Sequence, residues 1–470
     1  MVCDNTHFIF YYPFNYRQYD FRRFEKKLKE QQYYHFKMQN DPENQKYYGK
    51  NVDDSREALK QFFYPFIEEK LLNEQTSIIY FNRYTKLFQL DGEMITGFEN
   101  IKYTIHSVDI MLCPFSIGIM SIRIQLHNVK EIQSALSFAH YFRVLNPKVE
   151  EDCGASLQLD KWSFENTEQM IFQLLAPFLN DFFVDYTHLQ TTIPFFEDER
   201  MYVSAFIQLE EGEEISEEFL FRAGQLNGYD KNGQQYMFTS NHDYIQRFVK
   251  KHSYDRYAPH YYMLTTLQSH MHISNQNSQF TKQMIAQFHS IIYYIVIIHY
   301  FYKLTLLKLT FENSELKYSR NKHIVEQLIE QITKFASRYY FTEVSMRAEG
   351  HELTHYFREV FRIDIQYREI KETLEELYRV QEDRAADRLN QLLFILTIFS
   401  MISGIYGMNL VIEELDEPLK WSSILGFTLF EWMAFILAIG GIAISVFLIF
   451  GQIFHIARSF VQKRNTRKKS

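Results

Sequence analysis

The apolar pattern changes character at about residue 240. Before that point, short runs rich in β-branched and aromatic residues read as strands: "HFIFYY", "TSIIYFNRYTKLFQL", "FSIGIMSIRIQL" and "RMYVSAFIQLE". Between them, "VKEIQSALSFAHYFRVL" and "NTEQMIFQLLAPFLNDFF" place apolar residues at helical spacing. Residues 1–240 therefore read as an α/β domain, in three layers or in an α+β arrangement. From about Asp243 onward the pattern is helical nearly throughout, so 241–350 reads as a helical region. No internal repeat or low-complexity linker breaks the chain.

Three apolar stretches have the length to compete as membrane spans. Gln283–Tyr302 lacks formal charge but carries two Gln, two His and a Ser between soluble helices, and a buried core helix is expected there. Leu389–Met408 and Trp432–Phe454 are free of charge and long enough to cross about 30 Å of hydrocarbon. Upstream of Leu389, no Pro or Gly occurs between His351 and Ser403. Apolar residues recur there at Leu353, Phe357, Val360, Leu374 and Leu377. One continuous helix of about 45–55 residues is expected, its part over 351–388 acting as a stalk. A polar helix of that length requires packing partners, either copies of itself or the preceding domain.

Charge then sets an orientation. The net charge is -8, yet the tail over 455–470 carries Arg458, Lys463, Arg464, Arg467, Lys468 and Lys469 without an acid. The segment 410–431 carries Glu413, Glu414, Asp416, Glu417 and Glu431 against Lys420. The positive-inside rule places the tail and the large N-terminal part in the cytoplasm, and the acidic loop outside. Both termini are then cytoplasmic, in a multi-pass protein of the cell membrane. The N-terminus has neither a basic n-region nor a cleavage site, so no signal peptide is expected. Three cysteines without a CxxC pair fit a reducing compartment. The aromatic fraction of 17% reads as buried core.

A polar and small-residue stripe runs through the first apolar stretch: Asp383, Ala386, Asn390, Thr397, Ser400 and Gly404. A helix that only anchors in lipid has no need of such a stripe; a pore lining does. The stretch ends on "YGMN", Tyr406–Asn409, followed by the acidic loop, a second apolar stretch and the basic tail. In this position and topology the motif resembles the CorA family of magnesium channels, over roughly Phe341 to Ser470. The resemblance implies a funnel-shaped homopentamer, with 389–409 lining the pore, 432–454 forming an outer ring, and Tyr406, Gly407, Met408 and Asn409 at the outer mouth. It also implies regulatory Mg²⁺ sites between subunits, for which Glu369, Glu372, Glu375 and Glu376 are the candidates; a solvated charged face is the alternative. Two departures stand out. The family often has a Pro in its first span, and none occurs between Leu389 and Asn409. The loop "EELDEPLKW" is only loosely like the family's acidic loop.

These residue types suit the task. Mg²⁺ holds its waters tightly and prefers oxygen ligands. A ring of Asn409 carbonyls would accept it hydrated, and Gly407 lets a helix end and turn. Glu413, Glu414, Asp416 and Glu417 would raise the local cation concentration. Leu389 and Leu393 read either as a dewetting constriction above Asp383 or as packing between helices. A divalent ion crossing about 100 mV gains about 4.6 kcal/mol, so no ATP motif is needed, and none is present. The expected function is Mg²⁺ uptake driven by membrane potential and gated by cytoplasmic Mg²⁺, in a protein that is not an enzyme and has no organic cofactor and no nucleic-acid partner. A Zn²⁺ or Co²⁺ transporter is the near alternative, although no His or Cys lies between Thr397 and Trp432. A more distant alternative is a membrane-anchored zinc protease using "HELTH", with His351 and His355 as ligands and Glu352 as base; Arg358 and Phe361 stand where a metzincin extension needs Gly and His. His270 and His272 in "SHMHIS" read as a surface loop pair without a third partner.

Overall fold

The computed structural model describes residues 3–36, 56–73, 75–96, 99–127, 129, 131–146, 156–184, 200–229, 234–235, 239–276, 278–316 and 322–407, together with Leu429, Trp432, Met433, Ile436 and Gly440. It divides into two units, Met1–Leu374 and Glu375–Ser470.

The first unit is organised by an 11-stranded sheet. Its strands are β1 (Cys3–Asn15), β2 (Tyr34–His35), β3 (Asn82–Ile95), β4 (Asn100–Leu112), β5 (Ile117–Leu126), β6 (Ser156–Leu159), β7 (Trp162–Phe164), β8 (Tyr202–Leu209), β9 (Ser253–Tyr254), β10 (Tyr261–Thr265) and β11 (Ser269–Ser274). The order is β7-β6-β3-β4-β5-β1-β8-β11-β10-β9, with β2 beside β3. The three long strands β3, β4 and β5 follow one another antiparallel, and β1 lies between β5 and β8, antiparallel to both. Among the described residues, only β8 and β11 pair in parallel. Short connections between successive strands favour this antiparallel arrangement, because a parallel pair needs a long crossover.

Period-two alternation in β1 separates two cores. Phe8, Phe10, Tyr12 and Phe14 face one side, where Phe8 and Phe10 meet Phe138 and Phe10 meets Phe142, both from α4 (Ile132–Phe142). Phe24 of α1 (Phe21–Glu30) stacks flat on Phe182 at 4.2 Å over the same face. The other helices before the 240 boundary are α2 (Arg56–Phe62), α3 (Pro65–Leu71), α5 (Thr167–Met170) and α6 (Glu217–Gly224). Tyr11 points to the opposite side and meets Tyr293 and Tyr300.

That second face is covered by the apolar helix anticipated over Gln283–Tyr302. Following α7 (His242–His252), it consists of α8 (Ser278–Gln287), a π-turn over Phe288–Ile292, and α9 (Tyr293–Leu316). Among the described residues, Gln279–Glu315 is the one helix long and apolar enough to cross a membrane, and 89% of its most apolar window is buried. A helix apolar all round needs cover all round. The sheet supplies one side, while α10 (Lys322–Arg338) and α11 (Ala348–Val360) pack against α9 on the other. Lys308, buried on α9, donates to the carbonyl of Phe115 at 2.7 Å and to Asn15 Oδ1 at 3.2 Å. It thereby satisfies the β4–β5 turn, where Phe115 and Ser116 both adopt positive φ.

The expected fold class is corrected here. It was an α/β cytoplasmic domain followed by a long stalk helix and two C-terminal transmembrane helices in a funnel-shaped homopentamer. The structure instead has one large, mostly antiparallel mixed sheet with helices on both faces, and the one helix among the described residues that is long and apolar enough to cross a membrane is internal. The region 241–350 is not a helical annex: β9, β10 and β11 lie within it and complete the sheet. The helix expected to run unbroken from His351 is two helices. Arg362, at φ 55°, separates α11 from α12 (Ile363–Gly407). α11 lies against the first unit through Leu353 and Phe357, both buried. The expected span 389–409 falls on the last turns of α12 and beyond, and most of 432–454 lies outside the described residues.

Gly118 lies at a close contact between paired strands. A Cβ there would sit 2.1 Å from two ring carbons of Phe14 on the paired strand. Gly118→Ala is expected to destabilise the first unit by about 1–3 kcal/mol, read as a lower urea midpoint; an unchanged midpoint would refute the packing.

Candidate functional site

α12 carries the residues singled out for conduction. Asp383, Ala386, Asn390, Leu393, Thr397, Ser400 and Gly404 follow steps of three and four along this single helix, so they share one stripe, with Leu389 beside it. Of these, Asp383, Ala386, Leu389, Asn390, Leu393, Thr397 and Ser400 are exposed. Thr397 returns its hydroxyl to the Leu393 carbonyl at 2.7 Å, which satisfies it without a neighbour. The same turns expose Leu389, Leu392, Leu393, Phe394 and Leu396, with Phe394 at 67% and Leu396 at 68%. Tyr406 and Gly407 form the last turn of α12. Met408, Asn409 and the acidic residues Glu413, Glu414, Asp416 and Glu417 lie outside the described residues. Glu369, Glu372, Glu375 and Glu376 are exposed on α12. Among the described residues, no three His, Cys, Asp or Glu side chains are grouped to hold a metal.

"HELTH" lies on α11, and its spacing serves packing. Gly350, Leu353, Thr354, Phe357 and Arg358 make the buried stripe of that helix. Glu352, the base of the zinc reading, accepts hydrogen bonds from the Tyr254 hydroxyl at 2.8 Å and from Arg256 at 2.6 Å. His351 and His355 are exposed, and His351 Nδ1 lies 3.8 Å from Glu343. The carboxylate is thus committed to two donors on the segment leading into β10. His270 and His272 are not on a surface loop: they lie on β11, fully buried.

The densest polar chemistry sits where the apolar helix meets the sheet. Asp109 of β4, wholly buried, receives Arg83 of β3 at 3.0 Å and Arg123 of β5 at 3.1 Å, and Thr85 donates to its other oxygen at 2.7 Å. Arg123 also reaches His289 Nδ1 in the π-turn at 2.8 Å, and Arg83 donates to the Tyr294 hydroxyl at 3.2 Å. Both guanidinium groups lie over the Tyr293 ring, at 4.9 and 4.4 Å. Burial opposes the ionised form of Asp109, but the two guanidinium groups outweigh it and hold the carboxyl below its usual range. Burial first, then the Arg123 charge, keeps His289 neutral. The signal for this cluster was present in "NRYT", "SVDIML" and "SIRIQL", where charges interrupt strands that otherwise read as buried. Which charges would meet was not readable.

No nucleophile–base pair of a known kind emerges among the described residues. Thr104 stands between Asp91 and His127, with His127 Nε2 2.6 Å from its hydroxyl. Imidazole, not hydroxyl, would have to occupy the middle position for the carboxylate to orient a base. The Arg–Asp–Arg cluster binds helix to sheet, and α12 remains the element whose side chains are offered outward.

No protein-family model, curated protein or solved structure matches the chain.

Asp109→Asn would leave two guanidinium groups facing a neutral amide. A loss of about 3–5 kcal/mol is expected, measured by denaturant unfolding, and a loss under about 1 kcal/mol would refute the cluster's cohesive role. Acid should act through buried imidazoles. His270, His272, His289 and His299 are all held below the ordinary histidine range, His270 and His299 at about 3, each mainly by burial. A histidine depressed in the fold stabilises it above the unfolded value, and that contribution drains as pH falls from about 6.5 toward the folded value. The slope is about 1.4 kcal/mol per pH unit for each ring. The urea midpoint should therefore fall between pH 7.5 and 5.5; a constant or rising midpoint would contradict the burial of neutral rings.

Proposed function

We propose that this chain is a membrane channel for divalent cations, with Mg²⁺ as cargo driven inward by the membrane potential. The observation that carries the proposal is α12: a single 45-residue helix that begins packed against the first unit and continues as an outward-facing stripe of Asp383, Asn390, Thr397 and Ser400. Its exposed Leu389, Leu393, Phe394 and Leu396 have no use in water and suit lipid or neighbouring copies of the same helix. The helix ends at Tyr406 and Gly407, and Met408 and Asn409 follow directly in the sequence.

On this reading, copies of α12 surround the ion path as a homopentamer, Asn409 supplies oxygens at the mouth, and Glu413, Glu414, Asp416 and Glu417 gather cations before it. The charge asymmetry between the acidic segment and the basic tail supports a cell-membrane location with both ends of the chain on the cytoplasmic side. The exposed Glu369, Glu372, Glu375 and Glu376 are the proposed cytoplasmic Mg²⁺ sensors, completed by a neighbouring copy. Oxygen ligands alone around the mouth favour Mg²⁺ over Zn²⁺ or Co²⁺. The protease reading is weakened by Glu352, whose carboxylate is already engaged by Tyr254 and Arg256.

The test is Mg²⁺ flux into liposomes holding the purified chain under an inside-negative potential, with Asn409→Leu alongside. Flux that collapses at least about tenfold in the variant, with assembly retained, is the expected result; tenfold corresponds to about 1.4 kcal/mol. Equal flux in both would remove Asn409 from the mouth, and no flux in either would overturn the channel reading.

A further inference from the structure

Phe357 is one of the buried side chains by which α11 is held to the sheet, beside Leu353. Its ring lies 4.9 Å from His270 of β11 and stacks at 5.3 Å on His299 of α9. An α11 side chain is thus clamped between two imidazoles from two different layers, and both imidazoles are 0% exposed.

The strand imidazole belongs to a pair. His270 and His272 are two residues apart on β11, so their side chains share a face. Their Nε2 atoms are 2.9 Å apart. At that distance one nitrogen donates and the other accepts. The outer nitrogens are also occupied: His272 Nδ1 is 2.6 Å from the Tyr261 hydroxyl, and His270 Nδ1 is 3.0 Å from the Thr265 hydroxyl. The chain of donors runs in one direction or the other. In both directions each ring is neutral and every ring nitrogen is used. A proton added to one ring turns its outer nitrogen into a donor toward the neighbouring hydroxyl and leaves the central hydrogen bond in place, so its cost is a charge buried in a dry site; a proton on each ring would set N–H against N–H at the centre.

We propose that His270, backed by His272, and His299 form an acid-operated latch: neutral, His270 and His299 grip Phe357 and keep α11 on the sheet, and protonation of the three rings accompanies its release. The groups facing the pair are Tyr261 and Thr265 from β10, Phe206 from β8, Phe288 from the π-turn and Phe357 from α11. Among the described residues no carboxylate is hydrogen-bonded or ion-paired to either ring, so nothing there compensates a positive charge. His299 donates from Nδ1 to the Ile295 carbonyl at 2.7 Å. Beyond burial, its protonation is opposed by Arg358 of α11 and favoured by Asp364 of α12, and these two are paired with each other. Burial holds His270 and His299 at about 3 and keeps His272 well below the ordinary histidine range, with His270 adding to it. The rings therefore take up protons at ordinary pH values only when α11 lifts, and acid favours the lifted state. α11 is joined through Arg362 to α12, so the latch bears on the first turn of the long helix. It stands apart from the cation reading and would operate whatever α12 does.

Hydrogen exchange of the full chain at pH 7.5 and pH 5.0 tests the latch. After correction for the intrinsic pH dependence of exchange, opening of residues 348–360 should increase at pH 5.0 by about thirtyfold for each ring protonated on release, 1.5 pH units below an ordinary histidine. Strands β1 and β5 should keep their protection. His270→Gln/His272→Gln should reduce the increase to what His299 alone supplies. An unchanged opening of α11 in the parent chain, or an equal increase in the double variant, would overturn the proposal. Should the variant fail to fold, C2-proton exchange of His270 and His272 in the parent chain decides. Protonation that tracks α11 release supports the latch, whereas rings that stay neutral while α11 opens refute it.

Discussion

The first unit depends on a charged contact inside an apolar interface. The helix Gln279–Glu315 is apolar enough to be stable in lipid, yet it is enclosed by protein. What distinguishes its seat from any greasy surface is the cluster of Asp109, Arg83 and Arg123, which meets His289 and Tyr294 at one register. Buried ion pairs are poor sources of net stability, because desolvation cancels much of the attraction. Their strength is directional: sliding the helix by one turn would strand guanidinium groups against hydrocarbon. Lys308, further along the same helix, repeats the device by capping the carbonyl of Phe115. Two polar fixtures on one apolar helix set its position on the sheet.

Around that seat, the molecule separates rigidity from presentation. Residues up to Leu374 are closed on themselves, with aromatic layers on both faces of the sheet and α11 clamped over them. The remainder of α12 exposes polar and apolar side chains alike. A helix that satisfies its own backbone can leave a core without an unpaired-amide penalty, which a strand cannot do. Continuity of backbone hydrogen bonding is therefore what allows α12 to expose both the polar stripe and the apolar side chains. The cation proposal draws on that separation, with the closed unit as scaffold and α12 as the element offered to lipid, ions or further copies.

Much of the local structure was legible in the chain. β1, β5 and β8 follow the β-branched and aromatic runs, and α4 follows its helical spacing, because burial of alternating or periodic apolar residues is a local signal. The enclosed helix was legible too, from the Gln, His and Ser residues that a lipid-facing segment has little use for. "SHMHIS" misled because its histidines and serines look like a loop when read singly; on β11 they are satisfied by Tyr261 and Thr265, eleven and five residues away, which only pairing with β10 brings within reach. "HELTH" offered the distant zinc alternative as a literal motif; in the fold its Leu353 and Thr354 belong to the buried stripe of α11 and its carboxylate is held by Tyr254 and Arg256.

The sequence by itself determined where apolar side chains recur, and hence the strands β1, β3, β5 and β8, the enclosed helix, the long helix α12, and the stripe ending at Tyr406 and Gly407. Those properties depend on spacing within about ten residues, which the chain states directly. Only the tertiary structure decided that β9, β10 and β11 complete the N-terminal sheet, that the helix breaks at Arg362, and that Arg83, Asp109 and Arg123 converge beneath one π-turn. Each of those outcomes depends on partners tens to hundreds of residues apart. Their pairing is chosen by the global requirement that every buried charge and amide find a mate, and no local pattern encodes that choice.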